Sequence, residues 1–236
     1  MNLLHRLYYH AGVTLGKSFF FEKPTWQLTD EKKRIFALIF DAALYGENQT
    51  IDYDCNFPKW QFLDYIINEK DLVLHGSNVP KIDVMEPREQ TDYAGNKVKA
   101  VFATRDSIWS IFFSILDLEN YRGSLRNVCW VIQNEGKAER RFYFFSLNQD
   151  PRGHNWMNGL VYILPAESFR PASTGVVRFD EWLSDKQVTP IARLPVTAMD
   201  FPMIEKVVQH DDRESMIISW LRYKRRATRS SASKLA

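Results

Sequence analysis

The segment 106–116 constrains the fold of this chain more than any other stretch. Ile108, Ile111, Phe112 and Ile115 recur there at helical spacing among further apolar residues, so the segment reads as a buried helix. Short β-type runs surround it, at 71–75 and 98–103 before it and at 127–132, 141–147, 159–164 and 188–196 after it. Asn134-Glu135-Gly136 joins two of these runs as a hairpin. Pro190 and Pro195 confine the last run to a sheet edge or force a bend. One embedded helix among short strands, with helical ends, predicts an α+β domain over 71–200 and not a doubly wound parallel sheet.

The flanks have a different texture. Residues 1–27 are aromatic-rich and irregular in pattern, with Phe19, Phe20 and Phe21 before a Glu-Lys-Pro turn. Thr29 has the character of an N-cap, Asp30 and Glu31 suit the first helical turn, and Gly46 follows the last periodic residue. Pro58 opens a second short helix that buries Phe62, Leu63, Ile66 and Ile67. Residues 1–70 are therefore expected to form a helical appendage. Residues 203–224 are expected to be mostly helical, broken near Asp211 and Asp212, within a C-terminal unit of helices and basic tail over 201–236. Residues 234–236 resemble remnants of an expression vector.

Composition removes several classes. With 45% apolar and 25% charged residues in 236, the chain is neither disordered nor low-complexity. Cys55 and Cys129 lie in no metal-ligand spacing, so no metal is expected and both read as reduced thiols of a cytoplasmic protein. The longest apolar runs, 35–44 and 108–116, fall well short of the ~20 residues that span a bilayer, and no secretory pattern is evident, so no membrane partner is expected. From Arg222 onward there are six basic residues and no acidic one, against a net charge of +2 for the whole chain. Such a tail reads first as a solvated helix end, and second as a faint pointer to nucleic acid. The chain contains no glycine-rich phosphate loop, zinc-protease helix motif or hydrolase elbow.

Three segments place polar groups at strand ends. Leu74-His75-Gly76-Ser77 sets an imidazole, a bare backbone and a hydroxyl side by side, and an N–H/C=O pair on glycine matches a carboxamide. Taken alone, it reads as a strand running into a turn, with His75 hydrogen-bonded within the fold. Val101-Phe102-Ala103-Thr104 runs into the buried helix through a cap at Thr104 or Asp106, and Phe102 offers a stacking face or a core ring. Glu181-Trp182-Leu183-Ser184, followed by Gln187-Val188, supplies a carboxylate suited to stabilising a cation, or else the solvent-facing start of a helical turn.

In this order, the three segments resemble the ADP-ribosyltransferase superfamily, in the branch of poly(ADP-ribose) polymerases and diphtheria toxin with its His-Tyr-Glu motif. The resemblance covers roughly residues 70–197. It implies a split β-sandwich that holds NAD as substrate between two small sheets. His75 would then bond a ribose hydroxyl, Gly76 and Ser77 would hold the nicotinamide carboxamide, Phe102 would take the place of the stacking tyrosine, and Glu181 that of the catalytic glutamate. The chain departs from the pattern in having Phe102 (or Val101, one residue out of frame) where the family has Tyr. Gln187 is an alternative to Glu181 for the third position. The implied reaction breaks the nicotinamide–ribose bond through an oxocarbenium-like sugar that a carboxylate stabilises, with a protein or nucleic acid as acceptor, as in a toxin or defence effector.

Other candidates are Trp156, in the loop 153–159, which would close over NAD or meet the acceptor, and Arg141 and Arg126, which would pair with a pyrophosphate. Each has a purely structural alternative. Two further function classes stand beside the transferase. One is a non-catalytic nucleotide-binding or protein-interaction module on the same fold; the other is an RNA 2′-phosphotransferase, for which residues 71–197 lack a basic cluster.

Overall fold

A computed structural model describes residues 3–46 and 49–232. The protein is α+β, with mainly antiparallel sheets. In chain order the helix α1 (Leu3–Phe19) leads into strand β1 (Phe21–Glu22), helices α2 (Asp30–Tyr45) and α3 (Lys59–Lys70), and strands β2 (Leu72–Ser77), β3 (Arg88–Thr91) and β4 (Lys97–Ala103). Helix α4 (Ser107–Ile115) precedes strands β5 (Leu125–Ile132), β6 (Arg140–Leu147), β7 (Gly159–Pro165), β8 (Arg170–Pro171), β9 (Val177–Phe179), β10 (Trp182–Ser184) and β11 (Ala192–Val196). Strand β12 (Val208–Gln209) and helix α5 (Met216–Ala232) complete the chain.

One sheet runs β1-β6-β5-β9, with β12 added parallel to β6. A second runs β3-β4-β10-β8 and a third β11-β7-β2; one bridge, Leu74–Thr104, joins the two. The main core lies where α4 packs between them and the first sheet. Ile108, Ile111, Phe112 and Ile115 of α4 meet Leu74, Val161, Ile163, Tyr143 and Phe145 there. Phe36 and Phe40 of α2 and Phe62, Leu63, Ile66 and Ile67 of α3 belong to the same cluster. The helices expected as an appendage thus share the core of the strands. Thr29 caps α2 as expected, accepting from the Lys32 N–H at 3.3 Å.

Two expectations about the ends need correction. The stretch read as irregular is α1, and its buried stripe explains why its pattern is hidden. Gly12 and Gly16 face the sheet so closely that a Cβ on either would stand 2.8 Å from Val177 or Phe142. A glycine stripe carries no hydrophobic signal. The expected helix over 203–224 is instead a 3₁₀ turn at Ile204–Lys206, the strand β12, and α5 from Met216 onward. Pairing explains the strand, because the His210 N–H continues it by donating to Leu147 O at 2.8 Å. The expected run 188–196 starts as a lone Met85–Val188 bridge and becomes β11 only from Ala192, on the sheet edge that its prolines permit.

Helix α4 sits unusually close to the β2–β7 pair, and glycine makes that possible. A Cβ on Gly76 would lie 2.1 Å from Ser110 O, and one on Gly159 1.8 Å from Ser114 O. Ser114 Oγ bonds into this seam, donating toward Leu160 O at 2.9 Å. Gly159→Ala must therefore push α4 off the sheet. The expected cost is about 1–3 kcal/mol, as for other overpacked cores, read as a lower urea midpoint with an unchanged slope. A midpoint equal to that of the parent protein would show that the seam is not tight.

Candidate functional site

Strand β2 changes character along its length. Leu72, Val73 and Leu74 are buried, while His75, Gly76 and Ser77 are half-buried. Backbone pairing explains the change. Leu74 exchanges both hydrogen bonds with Thr104, at 2.8 and 2.9 Å, whereas Ala166 N–H reaches Asp71 O on the other edge. Because backbone groups alternate edges along an antiparallel strand, the N–H and C=O of Gly76 point to the same side as those of Leu74, toward β4. Beyond the isolated Leu74–Thr104 bridge the two strands part, and among the described residues Gly76 makes no backbone bond across the gap.

His75 spans this gap. Its Nδ1 lies 2.7 Å from the Phe102 carbonyl, and since a carbonyl only accepts, Nδ1 carries the proton. Burial lowers the imidazole pKa, the Phe102 carbonyl pulls the other way, and nearby Arg88 lowers it further. The ring is therefore neutral at pH 7, with an acceptor lone pair on Nε2. Ser77 Oγ accepts from the Val79 N–H at 3.1 Å, which starts the following loop. Phe102 is half-buried on β4, opposite Leu183 of β10.

The third segment forms β10 rather than a helical turn. It pairs with β4 through Trp182–Ala103 and Leu183–Phe102, so the three predicted segments occupy the neighbouring strands β2, β4 and β10. At ordinary interstrand spacing, the backbones of β2 and β10 stand roughly 10 Å apart across β4. Glu181 turns to the tip of the β3–β4 hairpin, where Oε2 accepts from the Tyr93 N–H at 2.9 Å. The Tyr93 ring stacks on Phe179, with centroids 5.0 Å apart. Burial raises the Glu181 pKa, only partly offset by that N–H. Gln187 lies outside β10 and donates to Glu86 Oε1 at 2.6 Å.

Asp180, one residue earlier, enters a buried charge network that the sequence did not disclose. Arg141 Nη1 donates to Asp180 Oδ2 at 2.5 Å and to Asp106 Oδ2 at 3.3 Å, and its other arm pairs with Glu139 at 2.7 Å. Lys23 Nζ bridges Asp64 and Asp106 at 2.6 and 3.2 Å. The Tyr143 hydroxyl donates to Asp106 at 2.6 Å, and Thr104 Oγ1 to Asp180 at 2.9 Å. Asp106 is also the N-cap of α4, accepting from the Trp109 N–H at 2.7 Å. Its side chain is 0% exposed. Burial alone would raise its pKa, but Lys23, Arg141 and Tyr143 outweigh burial and bring it below the usual carboxylate value.

This network gives Arg141 a different place from the one expected. Its guanidinium is bound to three carboxylates, and no arm is left to pair bidentately with a pyrophosphate. Trp156 donates Nε1–H to Pro151 O at 2.7 Å and packs edge-on to Phe112, as part of the wall around α4. Arg126 donates to Ser219 Oγ at 2.7 Å, tying β5 to α5. The role of Gly76 also shifts. Its Cα face is filled by α4, so a ligand meets its in-plane edge and not its face. A cavity of about 800 Å³ lies elsewhere and is lined by Lys81, Tyr162, Thr189 and Arg193 among others. No group of metal-ligating side chains occurs among the described residues.

No family model matches the chain. Among curated proteins and among solved structures, no match was found either.

The network makes a quantitative prediction. Asp106→Ala strands Lys23 and Arg141 in the interior, and breaking buried pairs of this kind costs about 3–5 kcal/mol. Because the folded pKa of Asp106 is depressed, its contribution is complete above the unfolded value of about 3.9 and is lost as pH falls through the lower folded value. Melting temperatures below pH 4 are expected to fall more steeply for the parent than for Asp106→Asn. Parallel acid limbs for the two proteins would contradict the assignment.

Proposed function

We propose that the chain is an ADP-ribosyltransferase-like protein that holds NAD at the gap between β2 and β4. The observation that carries this reading is the edge of Gly76, which among the described residues makes no backbone bond toward β4: one N–H and one C=O, side by side, next to a neutral imidazole. A primary carboxamide supplies the matching acceptor and donor. Nicotinamide carries such a group, and the Nε2 lone pair of His75 is suited to accept from the adjoining ribose hydroxyl. In this reading Phe102 serves as the stacking ring.

In this reading Glu181 supplies the negative charge that stabilises the oxocarbenium-like ribose once the nicotinamide bond breaks. Its raised pKa comes from burial, and a half-buried carboxylate opposes a developing cation more strongly than a hydrated one. Nicotinamide leaves as a neutral molecule and needs no general acid. A macromolecular acceptor, protein or nucleic acid, would then attack the sugar carbon.

One observation favours the second reading, a binding module without turnover. The Tyr93 N–H holds Glu181, and Phe102 lacks the hydroxyl of the family's tyrosine. The two readings separate in one experiment. NAD at a hundredfold excess over its dissociation constant is expected to stabilise the protein by about 2.7 kcal/mol, seen as a higher melting temperature. His75→Ala is expected to lose that shift. Glu181→Gln is expected to keep it while releasing nicotinamide at least 10²-fold more slowly than the parent. A shift without release in the parent assigns the binding module; no shift at all overturns both.

A further inference from the structure

Helices α1 and α5 cover the same sheet. Tyr9 and Val13 of α1 and Trp220, Tyr223 and Ala227 of α5 share one cluster with Phe20, Val128, Phe142 and Phe144. Their outward sides therefore face the same way, and neither is polar in the usual manner. On α1 the side opposite the buried stripe carries Leu4, Leu7, Tyr8 and Leu15, which are 45–64% exposed. At 100° per residue these four fall within an arc of about 100°, the width of an amphipathic helix's apolar stripe. On α5 the outward side carries Ile217 and Leu221, 65% and 53% exposed, beside Arg222, Arg225 and Arg229.

Charge is segregated on the same two helices. Together α1 and α5 hold seven Lys and Arg and no Asp or Glu, in a chain of net charge +2, so the remaining residues carry a net −5. Glu214 binds Arg226 and Arg222 from outside the helices. Arg6, Lys17, Arg225 and Arg229 are exposed and form no ion pair among the described residues. A surface of one sign with apolar side chains at its centre matches an interface that is anionic outside and apolar just beneath.

We propose that the α1–α5 face docks on an anionic lipid bilayer, lying in its headgroup region. Basic residues are drawn to the negative surface, and the apolar stripe inserts to the acyl boundary. Such docking needs no spanning segment, and no helix among the described residues is long and apolar enough to cross a membrane. A nucleic acid would engage the cations but leave the leucines in water. A second copy would bring two cationic faces together. The proposal is independent of the NAD reading.

The test is vesicle co-sedimentation of the whole chain at low salt. Vesicles of phosphatidylcholine with about 30% phosphatidylserine are expected to pull the protein down, and pure phosphatidylcholine is not. Leu7→Glu and, separately, Arg225→Glu/Arg229→Glu are expected to weaken partitioning at least tenfold; both change exposed side chains, and unchanged melting curves confirm that they fold. Absence of binding to the anionic vesicles overturns the proposal. So does binding that Leu7→Glu leaves intact, binding only to a DNA duplex, or a concentration-dependent dimer that Leu7→Glu dissolves.

Discussion

Asp106 is the residue on which the arrangement depends. It accepts from Lys23 just after β1, from Tyr143 and Arg141 on β6, and from the first turn of α4. Through Lys23 it reaches Asp64 on α3, and through Arg141 it reaches Asp180 ahead of β10. Each carboxylate buried here would be prohibitive alone, because an unpaired interior charge costs several kcal/mol. Paired, such a network adds little net stability over an apolar core of equal volume. It ties α3, the start of α4, β6 and the approach to β10 to one another.

The start of α4 in turn sets the candidate site. With its N-terminus pinned by Asp106, the helix descends onto β2 and β7 along the Gly76–Gly159 seam. That contact holds the last half of β2 against β7, while β4, which leads directly into α4, meets β2 through the Leu74–Thr104 bridge and the His75–Phe102 hydrogen bond. The gap beside Gly76 is thus a consequence of where the helix is anchored. The same anchoring puts Asp180 into the interior, whereas the half-buried Glu181 beside it turns to the tip of the β3–β4 hairpin.

Much of this was legible in the string, and what was not has a physical cause. The buried helix at 106–116, the 127–147 hairpin and the cap at Thr29 follow from periodicity and local hydrogen-bonding rules, which act within a few residues. Helix α1 escaped because the residues it presses closest to the sheet are Gly12 and Gly16, while Leu4, Leu7 and Leu15 face outward, which blurs the usual signal. Strand β12 escaped because two residues pair with β6 from a distance of some sixty positions in sequence. Arg141 illustrates the limit for sites. Its residue type fits a pyrophosphate and a carboxylate cage equally well, and only the meeting of Asp106, Asp180 and Glu139 in space decides between them. For His75, Phe102 and Glu181, the sequence offered an order but not the third segment's strand, read there as a possible helical turn, nor that α4 would occupy the face of Gly76.

Binding of NAD at the β2–β4 gap would engage the edge of Gly76, and amide hydrogen exchange reads that edge directly. The Gly76 N–H, without a backbone partner in the free protein, is expected to exchange rapidly, and to become protected when NAD or nicotinamide is added, while the Leu74 N–H, bonded to Thr104, stays slow in both states. A Gly76 amide that is already protected in the free protein, or that exchanges at the same rate with saturating NAD, would contradict it.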